Sequence, residues 1–209
     1  MATPRVQLGP RFVEAVAWVS ELHADQGRKG RSDVPYVSHL LAVAALALED
    51  GGAEDDAIVA LCHDTVEDQG GAATLAEVRR RFGDAVAGAV DLLSDSHGSH
   101  DDGDKEPWAD RKARLLAQLA RPEAPPTVLR VAAADKLHNA RSMLVALELQ
   151  GPEVWDRFRA TPGEAVWFYQ SVADLLGERF PESVNVPELQ RVCGELARWA
   201  GEAPVPRLA

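Results

Sequence analysis

Three short stretches of the 209-residue chain carry polar side chains that a helical core does not ordinarily tolerate. They are Pro35-Tyr36-Val37-Ser38-His39, Ala60 to Asp68 with His63-Asp64 and Glu67-Asp68 inside it, and Ala132 to Ser142 with Asp135, His138 and Asn139. Each sits within or beside an apolar run. Burying an imidazole or a carboxylate without a partner commonly costs a few kcal/mol or more. One metal ion would satisfy several of these groups at once. The spacing supports that reading. His63 and Asp64 are adjacent, so on a helix they splay about 100° apart, an angle suited to two ligands on one ion. Glu67 and Asp68 follow them by four residues and share their side of the helix. Asp135, His138, Asn139 and Ser142 fall at i, i+3, i+4 and i+7, a polar stripe on an otherwise apolar helix. Two imidazoles with two carboxylates suit manganese, iron, zinc or magnesium, and the ligand types alone do not choose among them. Such an ion lowers the pKa of a bound water and polarises a phosphoryl oxygen. The chemistry indicated is hydrolysis of a phosphate ester or anhydride.

The elements that must position these residues read as helices nearly throughout. Phe12, Ala15, Val16, Val19 and Leu22 recur at three- and four-residue steps. Tyr36 to Leu48 follows Pro35 and stops at Gly51-Gly52. A further helix is predicted over Asp55 to Glu67 and closed by Gly70-Gly71. Thr74 with Glu77 forms a capping-box pattern that opens a helix to Phe82, and Ala85 to Leu93 follows Gly83. Ser94 to Pro107 is polar and rich in Gly and Asp, a mobile loop by composition. Helical periodicity resumes over Trp108 to Leu119, Pro126 to Leu149, Glu153 to Phe158, Glu164 to Phe180 and Pro187 to Trp199, and the tail from Gly201 is expected to fray. No strict alternation of useful length, no internal repeat and no domain-splitting linker occurs. The expectation is an all-α fold, a single irregular bundle of nine or ten helices spanning 1–209. Its motif core lies over about 10–150, with C-terminal helices over about 151–200 packed on it.

Composition narrows the function classes. Net charge is −11 and the pI about 5.0, the opposite of a duplex-binding surface. The one compact basic cluster, Arg28-Lys29-Gly30-Arg31, suits a small phosphorylated ligand better than nucleic acid. No apolar run reaches the roughly 18 residues of a membrane span, and the N-terminus has no signal-peptide core. Two distant cysteines, Cys62 and Cys193, do not suggest a disulfide scaffold, so a cytoplasmic setting is expected. The C-terminal 60 or so residues carry no motif of their own and are a candidate surface for a homo-oligomer.

The order His, His-Asp, distant Asp resembles the HD phosphohydrolase superfamily. The wider text is similar to the hydrolase domain of RelA/SpoT-type enzymes and to the small alarmone hydrolases. The likeness is carried by five ordered stretches within about residues 10–150. They are His23-Ala-Asp-Gln26-Gly-Arg28-Lys29-Gly30, Pro35-Tyr36-Val-Ser-His39, Ala60-Leu-Cys-His63-Asp64-Thr-Val-Glu67-Asp68, Arg81-Phe82-Gly83 and Ala134-Asp135-Lys136-Leu137-His138-Asn139-Ala140-Arg141-Ser142. The resemblance implies a cytoplasmic helical enzyme that removes the 3′-pyrophosphate from the guanosine alarmones of the stringent response, usually with Mn2+, other divalent metals remaining open. It implies His39, His63, Asp64 and Asp135 as metal ligands, and Glu67 and Asp68 as the acidic pair that positions or activates water. It implies Arg28, Lys29, Asn139 and Ser142 as nucleotide contacts, with hydrolysis and no synthesis. His23 and His138 read as residues that order a ligand by hydrogen bond, and Arg111 or Lys112 as further partners for phosphate. The loop Ser94 to Pro107 and the aromatic stretches around Trp108, Trp155 and Trp167 depart from the alarmone-enzyme pattern. They keep open an HD phosphohydrolase acting on another nucleotide or a phosphorylated cofactor. A nucleotide-sensing module without turnover is a third reading, and loss of a ligand or of the acidic pair would mark it; neither is lost.

Overall fold

α3 (Glu54–Cys62) is the most buried segment among the described residues, with every side chain from Asp56 to Cys62 inside. Its sequence explains this. Ala57, Ile58, Val59, Ala60, Leu61 and Cys62 are apolar all round, and the acidic residues gather in the first turn, where the helix dipole favours them. Around it, in a computed structural model describing residues 6–29, 31–94 and 106–201, pack α1 (Pro10–Leu22), α2 (Val37–Glu49), α6 (Asp84–Leu93) and α8 (Pro126–Gln150). α8 starts on Pro126, a favoured first helical position, and stops at Gly151, whose φ of 83° only glycine adopts freely. α9 (Pro162–Arg179) and α10 (Asn185–Trp199) pack on α8, and α7 (Trp108–Ala120) completes the bundle against α9.

The all-α expectation holds, with ten α-helices among the described residues. None of the described helices is long and apolar enough to cross a membrane. The segment expected as helix over Glu153 to Phe158 is a 3-10 helix over Pro152–Arg157. Most of the Ser94 to Pro107 loop, including His97 and His100, and the tail after Gly201 lie outside the described residues.

Three local expectations are corrected. First, the helix predicted over Asp55 to Glu67 is two. α3 ends at Cys62, His63 and Asp64 form the junction, and α4 is a single turn, Thr65–Asp68. The Thr65 hydroxyl, donating to the Cys62 carbonyl at 2.7 Å, marks the break. Asp68 N still donates to Asp64 O at 3.0 Å, so the four-residue step from Asp64 to Asp68 survives. Second, Thr74 and Glu77 form no capping box. α5 (Ala72–Phe82) already starts after Gly71; Thr74 donates to Gln69 O, and Glu77 pairs with Arg80 and Arg81. A true box stands at Thr161 and Glu164, at the head of α9. Third, a two-stranded antiparallel hairpin, β1 (Gly27–Arg28) with β2 (Arg31–Pro35), interrupts the helical order. Two and five residues with no alternation of burial leave no periodic signal to read.

Candidate active site

His39 near the start of α2, His63 at the α3–α4 junction and Asp135 midway along α8 meet in the core. One ligand atom from each lies within 4.8 Å of the other two. Asp135 Oδ1 stands 3.2 Å from His39 Nε2 and 3.6 Å from His63 Nε2. Asp64 Oδ2 stands 3.5 Å and 3.1 Å from the same two nitrogens. The four residues expected as metal ligands are therefore brought together, from three elements up to 96 positions apart in sequence (His39 to Asp135).

The tautomers suit that purpose. His63 Nδ1 lies 2.7 Å from the Ala60 carbonyl, which can only accept, so Nδ1 carries the proton and Nε2 points its lone pair inward. That Nε2 is buried and without a hydrogen-bond partner among the described residues. His39 Nδ1 lies 2.8 Å from His138 Nδ1. Burial, then the neighbouring His39 and Arg28, push the His138 pKa down to about 4, so His138 is neutral and can accept from His39. Inward lone pairs on two imidazoles facing two carboxylates, with one ring nitrogen orphaned, fit a divalent cation. Without one, burial opposes charge on His63, but Asp64 and Asp135 outweigh it and raise its pKa well above 6.5. Against the cost of burial, His63 and then His39 hold the Asp64 carboxyl well below the usual range, and Lys136, then the same two imidazoles, do so for Asp135.

Each carboxylate is also framed from outside the cluster. Asp135 Oδ1 accepts from Asn139 Nδ2 and Oδ2 from Lys136 Nζ, both at 2.5 Å. The Tyr36 hydroxyl donates to Asp64 Oδ2. Tyr36 is stacked on His23, with ring centroids 5.2 Å apart, and meets the His39 ring edge-on. Tyr36 and Lys136 stood inside the motifs but drew no role from sequence. Their partners lie 28 residues away for Tyr36 and next door for Lys136, and neither distance is visible as a pattern.

A cavity of about 1110 Å³ opens over the cluster. Nine of the ten expected site residues line it; His39 sits behind the wall. Glu67 meets Arg111 at 3.3 Å, and Asp68 accepts from Gln26 at 2.7 Å. Burial and the neighbouring Asp64 raise the Asp68 pKa above its ordinary value. Arg28 reaches Asn139, and Lys29 lies over the Phe158 ring, its pKa lowered by partial burial and by Arg159, Lys112 and Arg111 nearby. Ser142 reaches the wall, yet its hydroxyl donates to its own helix at His138 O, so as it stands it offers the cavity little. Phe168 is buried, and its ring and that of Phe158 line the cavity. Ten described lining residues are Lys or Arg and five are Asp or Glu, on a chain whose net charge is −11. The cavity reverses the sign of the molecule, which favours a polyanion.

Residues 15–163 match the HD domain family. The chain belongs to that family. This HD protein is 34% identical over 170 residues to the human protein named guanosine-3′,5′-bis(diphosphate) 3′-pyrophosphohydrolase MESH1, covering 80% of the chain and 86% of the relative. The namesake from Xenopus tropicalis is 35% identical over 151 residues, 71% of the chain and 75% of the relative. A Mycobacterium leprae protein named probable GTP pyrophosphokinase is 38% identical over 125 residues, but those are 58% of this chain and 14% of that one. A solved structure described as a metazoan orthologue of SpoT that hydrolyses ppGpp superposes with a TM-score of 0.68. It covers 97% of this chain and 100% of that one at 23% identity, a likeness of fold. Within the HD fold so assigned, α2, the α3–α4 junction and α8 supply the paired histidines and aspartates.

Proposed function

We propose that this HD protein removes the 3′-pyrophosphate from guanosine tetra- or pentaphosphate, giving pyrophosphate and GDP or GTP. The observation that carries the reading is the convergence of His39, His63, Asp64 and Asp135 beneath a cationic cavity. The relatives' names supply the substrate. These four residues would hold the metal, Mn2+ in this reading. Such an ion supplies Lewis-acid stabilisation of phosphoryl charge and a more acidic water.

The chain's own residues do the rest. Asp68, more basic than an ordinary carboxylate, takes a proton from the attacking water. Glu67, beside Arg111, orients it from the same one-turn helix. The water oxygen bonds to the phosphorus next to the ribose 3′ oxygen. The phosphorus–O3′ bond breaks, and the 3′ oxygen leaves as a hydroxyl after gaining a proton. Arg28 and Lys29 lie along the cavity to offset the negative charge on the phosphates. Two buried free thiols, Cys62 and Cys193, fit a reducing, cytoplasmic setting. The extensive packing of α10 on α8 and α9 supports reading the described residues as one domain.

The test is product release by Mn2+-loaded protein from guanosine tetraphosphate, with Asp64→Ala as control. Pyrophosphate and GDP from the wild type and silence from the variant support the reading. Metal bound at one per chain with no product would mean a different substrate, to be sought in a nucleotide panel.

A further inference from the structure

The His23-Ala-Asp-Gln26 stretch is part of the family likeness, yet the mechanism above leaves Gln26 unused. The structure gives it one. Gln26 Nε2 donates to Asp68 Oδ2 at 2.7 Å. Its Oε1 accepts from Gln69 Nε2 at 2.7 Å and faces His23 Nδ1 at 2.6 Å. An amide oxygen only accepts, so His23 must present Nδ1–H, and the amide is locked with its NH2 toward Asp68. His23 is itself fixed, 2% exposed and stacked on Tyr36, whose hydroxyl holds Asp64.

Asp68 needs such a hold. It ends a one-turn helix followed by Gly70 and Gly71, both at positive φ. It also borders two spaces: the main cavity, and a smaller one of about 400 Å³ lined by Asp25, Gln26, Asp68 and Gln69 among others. A carboxylate on that partition has two sides to turn to. The Gln26 amide engages Oδ2 and so restrains that turn.

We infer that Gln26, oriented by His23 and Gln69, is a positioning residue that fixes the Asp68 carboxylate for proton transfer. This rests on reading the cavity as a phosphohydrolase centre with Asp68 as base.

The experiment compares wild type, Gln26→Leu, Gln26→Asn, Asp68→Ala and the Gln26→Leu/Asp68→Ala pair, all Mn2+-loaded. For both Gln26 variants kcat falls about 10–100-fold, the usual range for a residue supporting a site group, while KM and the Mn2+ Kd stay within about twofold. In the Asp68→Ala background, Gln26→Leu costs nothing further, because it acts only through the missing carboxylate. An equal loss in both backgrounds, an unchanged kcat, or Mn2+ affinity falling in step with kcat would overturn the inference. Gln26→Asn keeps an amide in place should the leucine variant fold poorly. A crystal structure of a Mn2+-loaded Gln26 variant decides the matter even if guanosine tetraphosphate is not the substrate. Asp68 turned toward the smaller cavity supports the role, and Asp68 unmoved refutes it.

Discussion

Arg28 Nη2 donates to Asn139 Oδ1 across 2.9 Å, joining the surface hairpin to the middle of α8. The same asparagine donates through Nδ2 to Asp135 Oδ1 at 2.5 Å. A residue expected to touch nucleotide is thus two hydrogen bonds from a proposed metal ligand. Asn139→Ala should weaken Mn2+ binding about 10–100-fold, the cost usual for losing a ligand's supporting partner. Arg28→Ala should raise KM more than it weakens the metal, because Asn139 keeps its bond to Asp135. Isothermal titration with Mn2+ beside steady-state kinetics separates the two. Equal effects on metal affinity from both variants would show that Arg28 serves the metal centre alone.

Metal binding should depend on pH in a stated direction. In the metal-free protein His63 has a pKa raised well above its ordinary 6.5. A group raised on folding adds stability that is fully present below 6.5 and lost as pH climbs through the folded value. A ligand imidazole must be neutral, so the cation competes with that proton. Mn2+ affinity should therefore rise about tenfold per pH unit from 6.5 upward until the folded pKa of His63 is passed. Over the same range, metal-free stability should lose the His63 contribution. Titration calorimetry and melting curves at several pH values read both. An affinity flat from pH 6 to 8 would rule out displacement of a proton from His63.

The candidate ligands His39 and Asp135 stood out in the sequence because each is a costly polar group on an apolar helix: His39 among Leu40 and Val43, and Asp135 after three buried alanines. The α3–α4 break was not. Apolar periodicity runs through it from Leu61 and Cys62 to Val66, and what ends α3 is a hydroxyl bond, Thr65 to Cys62. The hairpin was missed because strands this short have no period. Gln26 and Tyr36 act on residues 42 and 28 positions away, and only the fold makes those contacts exist. The cavity's positive sign was hidden by the net charge of −11, since Lys136, Arg157 and Arg159 come to one wall from separate elements.

Arg130 provides a test of stability separate from the site. On α8 it stands 3.7 Å from Asp50 Oδ2 and 3.5 Å from Asp56 Oδ2, and its guanidinium covers the Phe180 ring. The Asp50 side chain is fully buried and also accepts from Ser183 Oγ and Val184 N. Removing the cation leaves two enclosed carboxylates short of a counter-charge. Arg130→Met should cost roughly 3 kcal/mol, the low end for breaking a buried pair. For a chain of this size that lowers Tm by about 6–12 °C. Calorimetry checks it, with kcat at 25 °C unchanged because the network lies outside the cavity lining. A Tm shift below about 2 °C would mean that the remaining donors to Asp50 suffice.

Gly27 separates the hairpin from the core in the opposite sense. A Cβ placed there would lie 2.6 Å from the Ser32 carbonyl oxygen and 2.8 Å from Ser32 Cα, both backbone atoms that cannot swing aside. Gly27→Ala must spread the strands and shift Arg28, the next residue, away from Asn139. Because β2 is mostly exposed, little core packing is lost. A displacement of about 1 Å in a positioning group can reduce rate about a hundredfold. The variant should therefore lose about 10–100-fold in kcat/KM while its Tm moves by less than about 2 °C. Kinetics and calorimetry on one preparation decide it. A Tm falling in proportion to activity would make the hairpin part of the cooperative core, whereas full activity would show that Arg28 holds its place without the paired strands.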